Sequence, residues 1–281
     1  MEKRTITKET LNQCYQHLAR QERGAATIEK YLRDVAQFAA WLAGRPVSKE
    51  TVTAWKSQLL QAGYSSATVN GKLAALNAFF RAQGWNDCRV KALRLQRRTF
   101  RETAKELTRE EYDRLLETAL TKKKDRLALL LETICATGIR VSVVQRITVE
   151  AARKGKAEIS LKGKIRTILL PGKLCRKLLK YAKKQKIASG EIFLTRSGNA
   201  ISRKQIWAEM KGLCKAAGVE STKVFPHNLR HLFARCFYQV CRDVVKLADV
   251  LGHSSVETTR IYLMSTGAEH ERTLEKLKLI S

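Results

Sequence analysis

The feature that most limits what this chain can become is a run of apolar side chains repeating at the period of an α-helix. Ile28, Tyr31, Leu32, Val35, Phe38, Ala39 and Leu42 fall on one side at about 3.6 residues per turn, and Gly44 and Pro46 stop the run. A stripe of that width has to be buried, so the segment predicts a helix packed on other helices rather than a strand. Thr27 stands where a cap is wanted and predicts the start of this helix. The pattern recurs: Thr7 precedes Leu11, Cys14, Tyr15 and Leu18; Ser48 precedes Val52, Trp55 and Leu59 up to Gly63; Ser66 opens a run through Val69, Leu73, Leu76 and Phe80 that ends at Gly84. The expectation is an all-α bundle over residues 1–95, with Tyr15 and Tyr31 in its core.

Over KALRLQRRTFRETAK, residues 91–105, the stripe is lost and charge accumulates, which places a linker at 96–106. A second domain, 107–281, opens with Thr108-Arg109-Glu110-Glu111, a capping box whose hydroxyl and carboxylate satisfy free amides of a first turn. Helical patterns dominate here too, except from Ala157 to Leu170. There AEISL and RTILL flank Lys162-Gly163-Lys164 and read as a β-hairpin. The fold class is therefore mainly α (α+β), with one small β element and no internal repeat.

Lys and Arg number 54 against 26 Asp and Glu, a formal charge of +28. That excess is far beyond what solubility needs and calls for a polyanionic partner, nucleic acid first. No apolar run approaches the roughly 20 residues of a spanning helix. The polar start MEKRTITKET lacks a signal-peptide core, so no membrane partner and a cytoplasmic location are expected. Seven cysteines, among them Cys14, Cys135, Cys214, Cys236 and Cys241 within helical apolar patterns, form no CxxC pair and read as reduced core residues.

Four stretches carry the polar groups that could do chemistry: ATGIR ending at Arg140, LKGKIR in the hairpin, HNLRH from His227 to His231, and LGHSSVETTRIY ending at Tyr262. Taken singly, each has an ordinary reading. A lone Arg140 is most often surface, and Tyr262 alone is a half-buried tyrosine. His227 and His231, at i and i+4, could hold zinc, but the Glu that a zincin places after its first His is missing. In the last stretch Ser254-Ser255-Val256-Glu257 reads as a capping box, with Thr258 and Tyr262 on one helix face and Ile261 left for packing. Tyr238 reads as core.

In this order, the four stretches resemble the boxes of the tyrosine recombinase (phage integrase) family, which includes mobile-element integrases and Xer-like proteins. The resemblance covers nearly the whole chain. It implies that residues 1–95 are a core-binding domain that clamps DNA and that 107–281 are the catalytic domain. It also implies Arg140 and Arg230 as the paired arginines, Lys162 as the hairpin lysine, His227 and His253 as the two histidines, and Tyr262 as the nucleophile. His231 matches a supporting position. The implied activity is site-specific recombination of double-stranded DNA through a 3′-phosphotyrosine, by a tetramer on two DNA sites, with neither metal nor other cofactor. The tail beyond Tyr262 (Leu274, Leu277, Leu279, Ile280) is then a segment that docks on a neighbouring protomer or folds on its own domain.

The residue types suit that chemistry. A phenolate can exchange one phosphodiester for another and conserve the bond as a phosphotyrosine. Two guanidinium forks stabilise the added charge of the pentacoordinate transition state. Tyr, with a free pKa of about 10, needs a proton acceptor, for which His227 stands; Lys162 at the hairpin tip suits protonation of the departing 5′ oxygen, and His253 a hydrogen bond to the phosphate. Two departures stand out: Lys164 competes with Lys162 in a hairpin one residue short of the family's pattern, and Val143 occupies a position that is usually acidic. On this reading Val143→Glu speeds cleavage, unless Glu132 or Glu150 already orients Arg140. Two other functions fit parts of the pattern: a type IB topoisomerase, and a DNA-binding regulator of the same fold with impaired catalysis.

Overall fold

The computed structural model describes residues 4–95, 105–161, 164–253, 255–262 and 275–276. The chain divides into two compact units, Met1–Arg97 and Arg98–Ser281.

The first unit is built of four helices, α1 (Lys8–Arg20), α2 (Ala25–Leu42), α3 (Lys49–Gln61) and α4 (Ser66–Ala82). Local chemistry sets three of the starts. Thr7 and Thr10 form a reciprocal capping box on α1, Ser48 and Thr51 form another on α3, and the Ser65 hydroxyl accepts the Thr68 N–H on α4. The start of α2 departs from the sequence expectation. It begins after Gly24 with no side-chain cap, and Thr27 lies inside the first turn, its N–H donating to Gly24 O at 2.8 Å. The core gathers Phe38, Trp55, Leu73, Leu76, Phe79 and Phe80, with the Phe38 and Trp55 rings 5.0 Å apart. Each such side chain contributes about 1.5–3 kcal/mol by leaving water. Tyr31 packs against this core, whereas Tyr15 does not belong to it and is 46% exposed.

The second unit holds α5 (Arg109–Thr121), α6 (Asp125–Thr137), α7 (Val149–Lys154), strands β1 (Lys156–Leu161) and β2 (Lys164–Leu169), then α8 (Gly172–Lys184), α9 (Arg203–Ala217), α10 (Pro226–Cys241), α11 (Val244–Leu251) and α12 (Val256–Arg260). The predicted capping box of α5 is present: Glu111 N–H donates to Thr108 Oγ1 at 3.2 Å, and Thr108 N–H to Glu111 Oε2 at 2.9 Å. The strands pair antiparallel with Leu161 opposite Lys164. The fold is thus mainly helical with one two-stranded sheet among the described residues. Leu127, Leu130, Leu131 and Ile134 of α6 run through the core that the other elements surround.

All seven cysteines are free; Cys14, Cys88, Cys175 and Cys214 are buried. No helix among the described residues is long and apolar enough to cross a membrane.

Candidate active site

The polar groups of three separate segments meet around one arginine. Helix α6 ends at Gly138, whose φ of 62° is left-handed and suits glycine. A Cβ there would stand 2.3 Å from the Phe233 ring, so the turn has no room for a side chain either. From this turn the chain passes through buried Ile139 to Arg140, which is exposed and extended.

Helix α10 starts with Pro226 in its first turn, where a missing N–H costs nothing, and carries His227, Asn228, Arg230 and His231. Asn228 is buried and donates to Lys105 O at 2.8 Å and Lys223 O at 2.7 Å, pinning the helix start. Arg230 is 1% exposed. One of its terminal nitrogens donates to Gly138 O; the other donates to Leu251 O at 2.9 Å and lies 2.8 Å from His253 Nε2. Its Nε is buried with no partner among the described residues. Burial pulls Arg230 below the usual arginine range, Arg140 adds to this, and a hydrogen bond with Tyr262 opposes it.

His253 follows α11 and its left-handed cap Gly252, with its N–H on Ala248 O at 2.9 Å. Its Nδ1 lies 2.8 Å from Thr259 Oγ1, and Thr259 is fully buried. The imidazole stacks on Tyr262, centroids 5.6 Å apart and planes 9° from parallel. His231 meets the same phenol ring at 4.4 Å and His227 at 6.1 Å, while His227 and His231 lie edge to face at 4.6 Å. Burial, then neighbouring cations, lowers all three histidines: His231 and His253 to about 4, and His227 by burial, Arg230 and Arg140. Near neutral pH the imidazoles stand as neutral rings beside the cations.

Of the sequence-predicted residues, Arg230, His227, His253 and Tyr262 therefore converge, and Arg140 is close enough to depress its neighbours. Lys162 and Gly163 lie outside the described residues, as do Leu274, Leu277, Leu279 and Ile280 of the tail. Lys164 pairs through its backbone with Leu161. Around Tyr262 the structure corrects two expectations. The cap of α12 is Ser255, accepting from Glu257 N–H at 3.2 Å, one residue later than the predicted box. Tyr262 is 5% exposed and packs with Ala234, Leu247 and Leu251, whereas Ile261 is 58% exposed and Thr258 faces solvent. Helix α12 ends at Arg260, so the i, i+4 rule no longer reaches Tyr262; Thr259 points inward instead. Tyr238 packs against this small cluster.

Val143 lies in a 3-10 turn and is buried in the core at 3% exposure. Neither acid suggested as a substitute serves Arg140: Glu132 pairs with Lys177, and Glu150 accepts the Gly190 N–H at 3.0 Å. Sequence reasoning missed Arg166 and Thr259, both of which join the cluster. Among the described residues no group of three or more His, Cys, Asp or Glu comes together as a metal site.

Comparison with known proteins gives the family. Residues 105–269 match the Phage integrase family, and residues 11–86 match the description "Phage integrase, N-terminal SAM-like domain". The chain belongs to the phage integrase family and is a tyrosine site-specific recombinase. It is 31% identical over 263 residues to tyrosine recombinase XerA of Thermococcus kodakarensis, covering 90% of each chain. To XerA of Pyrococcus furiosus it is 28% identical, covering 100% of this chain and 98% of that one. Its fold resembles a λ integrase tetramer bound to a Holliday junction, with a TM-score of 0.74 and 18% identity over 92% of this chain and 77% of that chain. It also resembles the XerH recombinase bound to its difH substrate, with a TM-score of 0.68 and 19% identity over 97% and 90%.

Proposed function

We propose that Tyr262 cleaves double-stranded DNA by attack on a phosphodiester, forming a 3′-phosphotyrosine and releasing a 5′ hydroxyl, and that reversal on a second strand rejoins the DNA. The observation that carries this reading is the convergence of Arg230, His227, His231 and His253 on the Tyr262 ring. Phenol attack breaks the P–O5′ bond and makes a P–O(Tyr) bond of similar energy, so no nucleotide is consumed. Arg140 and Arg230 meet the non-bridging oxygens, whose charge grows in the transition state. His227, held neutral by burial and by the two arginines, accepts the phenol proton. Lys162 protonates the departing oxygen.

The +28 charge supports DNA as the partner, and much of it would contact phosphate without reading sequence. We assign DNA clamping to residues 1–95, catalysis to 107–281, and a linker to 96–106. Exchange between two duplexes needs four active sites, hence a tetramer on two DNA sites. Seven free thiols suit the reducing cytoplasm.

The test is a nicked suicide duplex: wild type should trap an SDS-stable adduct and Tyr262→Phe should trap none. An adduct with the phenylalanine variant removes Tyr262 from the role. Resolution of a four-way junction distinguishes strand exchange from supercoil relaxation.

A further inference from the structure

Strand β2 places an arginine on the inward face of the hairpin. Ala157 and Ile159 of β1 and Ile168 of β2 are buried; Arg166 has the parity of Ile168 and stands opposite Ile159. Its Nη2 donates to Val250 O near the end of α11. Its side chain then lies over Gly252, where an added Cβ would meet Nε at 2.4 Å and Cζ at 2.5 Å. Gly252, at φ 62°, is left-handed as well, so this turn is shaped for a glycine under a guanidinium.

Arg166 Nε is buried with no partner among the described residues, and no carboxylate among them pairs with Arg166, Arg140 or Arg230. Burial, then Arg230 and Arg140, lower Arg166 to about 10. A guanidinium kept for stability alone is expected beside a counter-anion, because a buried unpaired charge destabilises a fold. This one instead touches the turn that delivers His253, and stands close enough to Arg140 and Arg230 to be repelled by both.

We propose that Arg166 is a positioning residue for strand cleavage: it clamps the hairpin to the Val250–Gly252 turn, holds His253 against Arg230, and adds a third uncompensated charge to the field that meets the phosphate. The proposal rests on the reading of Tyr262 chemistry given above. Its two effects are separable, since a neutral methylphosphonate at the scissile position takes one negative charge out of the transition state and so weakens the need for added charge, but not the need for a folded turn.

Single-turnover cleavage of the nicked duplex by the full chain is measured for wild type, Arg166→Met, Gly252→Ala and the double variant. Each is run with a phosphodiester and with a methylphosphonate, alongside melting temperature and single-site affinity. Arg166→Met should cleave the phosphodiester at least about tenfold more slowly at unchanged affinity, the scale of losing one preorganised cationic donor. On the methylphosphonate the loss relative to wild type should shrink to about threefold, since the transition state there carries one negative charge fewer, and what remains is the share of the clamped turn. Gly252→Ala, whose Cβ displaces the guanidinium and also strains the left-handed turn, should be slowed on both substrates, and the double variant should be no slower than the slower single one. A phosphodiester rate for Arg166→Met close to wild type, or equal losses on both substrates, overturns the proposal. Should Arg166→Met not fold, Arg166→Gln decides by the same two criteria. Absence of an adduct with wild type itself removes the underlying reading and the proposal together.

Discussion

Arg230 Nη2 lies 2.8 Å from His253 Nε2, and this contact fixes the state of the histidine. A guanidinium nitrogen has only hydrogens to offer, so Nε2 must be the acceptor, and a neutral ring then carries its proton on Nδ1. That proton points at Thr259 Oγ1, 2.8 Å away. Before DNA binds, His253 is therefore a neutral acceptor toward Arg230, and its Nε2 has no proton to give a phosphate. A phosphate that displaces this contact would draw the arginine and free the imidazole together.

Thr259→Val should slow cleavage by about fivefold, the worth of one hydrogen bond of about 1 kcal/mol, by removing the acceptor that orders the His253 tautomer. Thr259→Ser keeps the hydroxyl and should restore most of the rate. Single-turnover assays on both variants check this, and equal rates for valine and wild type would show that stacking on Tyr262 alone orients the ring.

Arg230→Lys keeps a charge but cannot span Gly138, Leu251 and His253 together. Cleavage should fall on the order of a hundredfold or more, with single-site DNA affinity nearly unchanged because phosphate contacts elsewhere dominate it. A gel-shift titration beside the cleavage assay separates the two.

His231 is lowered to about 4 from an ordinary 6.5 by burial, with His227, Arg235 and Arg230 adding to it. A depressed histidine means that the unfolded chain binds the proton first. Stability is then fully present above pH 6.5 and declines as pH falls toward about 4. His253, lowered by burial and by Arg230, Arg140 and Arg166, contributes over the same window. The melting temperature should therefore drop between pH 7 and pH 5, and His231→Gln should flatten that dependence. A slope unchanged by the glutamine variant would assign the dependence elsewhere.

Val143→Glu should not accelerate cleavage, contrary to what its alignment with an acidic position suggests. The side chain at 143 is 3% exposed within the core, so a carboxylate there is desolvated before it can serve Arg140. A loss on the order of several kcal/mol is expected, read as a fall in melting temperature. A faster, equally stable variant would mean that the turn over residues 141–146 opens to let the acid out.

How much of this was legible in the sequence depended on how local each signal is. Helix starts with a hydroxyl three residues before the amide it accepts from, at Thr7, Ser48 and Thr108, could be read directly. The start of α2 could not, because Gly24 caps nothing with a side chain and Thr27 mimics a cap from inside the turn. Two adjacent serines left the α12 cap ambiguous by one residue. The inward turn of Tyr262 was hidden because the helix ends at Arg260. Arg166 required strand parity together with a contact to Val250, 84 residues away, which no short pattern carries. Thr259 belongs to His253 across a turn, so its role appears only once α12 is placed.

Arg230 also bears on when the enzyme becomes dangerous to DNA. Its guanidinium is held by carbonyls that lie 92 residues before it and 21 residues after it, and Tyr262, the proposed nucleophile, comes later still. Closing such distant contacts carries a loop entropy that only a nearly finished domain recovers. A chain still being synthesised, or one cut short before Leu251, lacks the last tie on the arginine and lacks Tyr262, the proposed nucleophile. On the proposed chemistry, strand breakage would then wait for a nearly finished domain, a safeguard that lies in the order of residues along the chain.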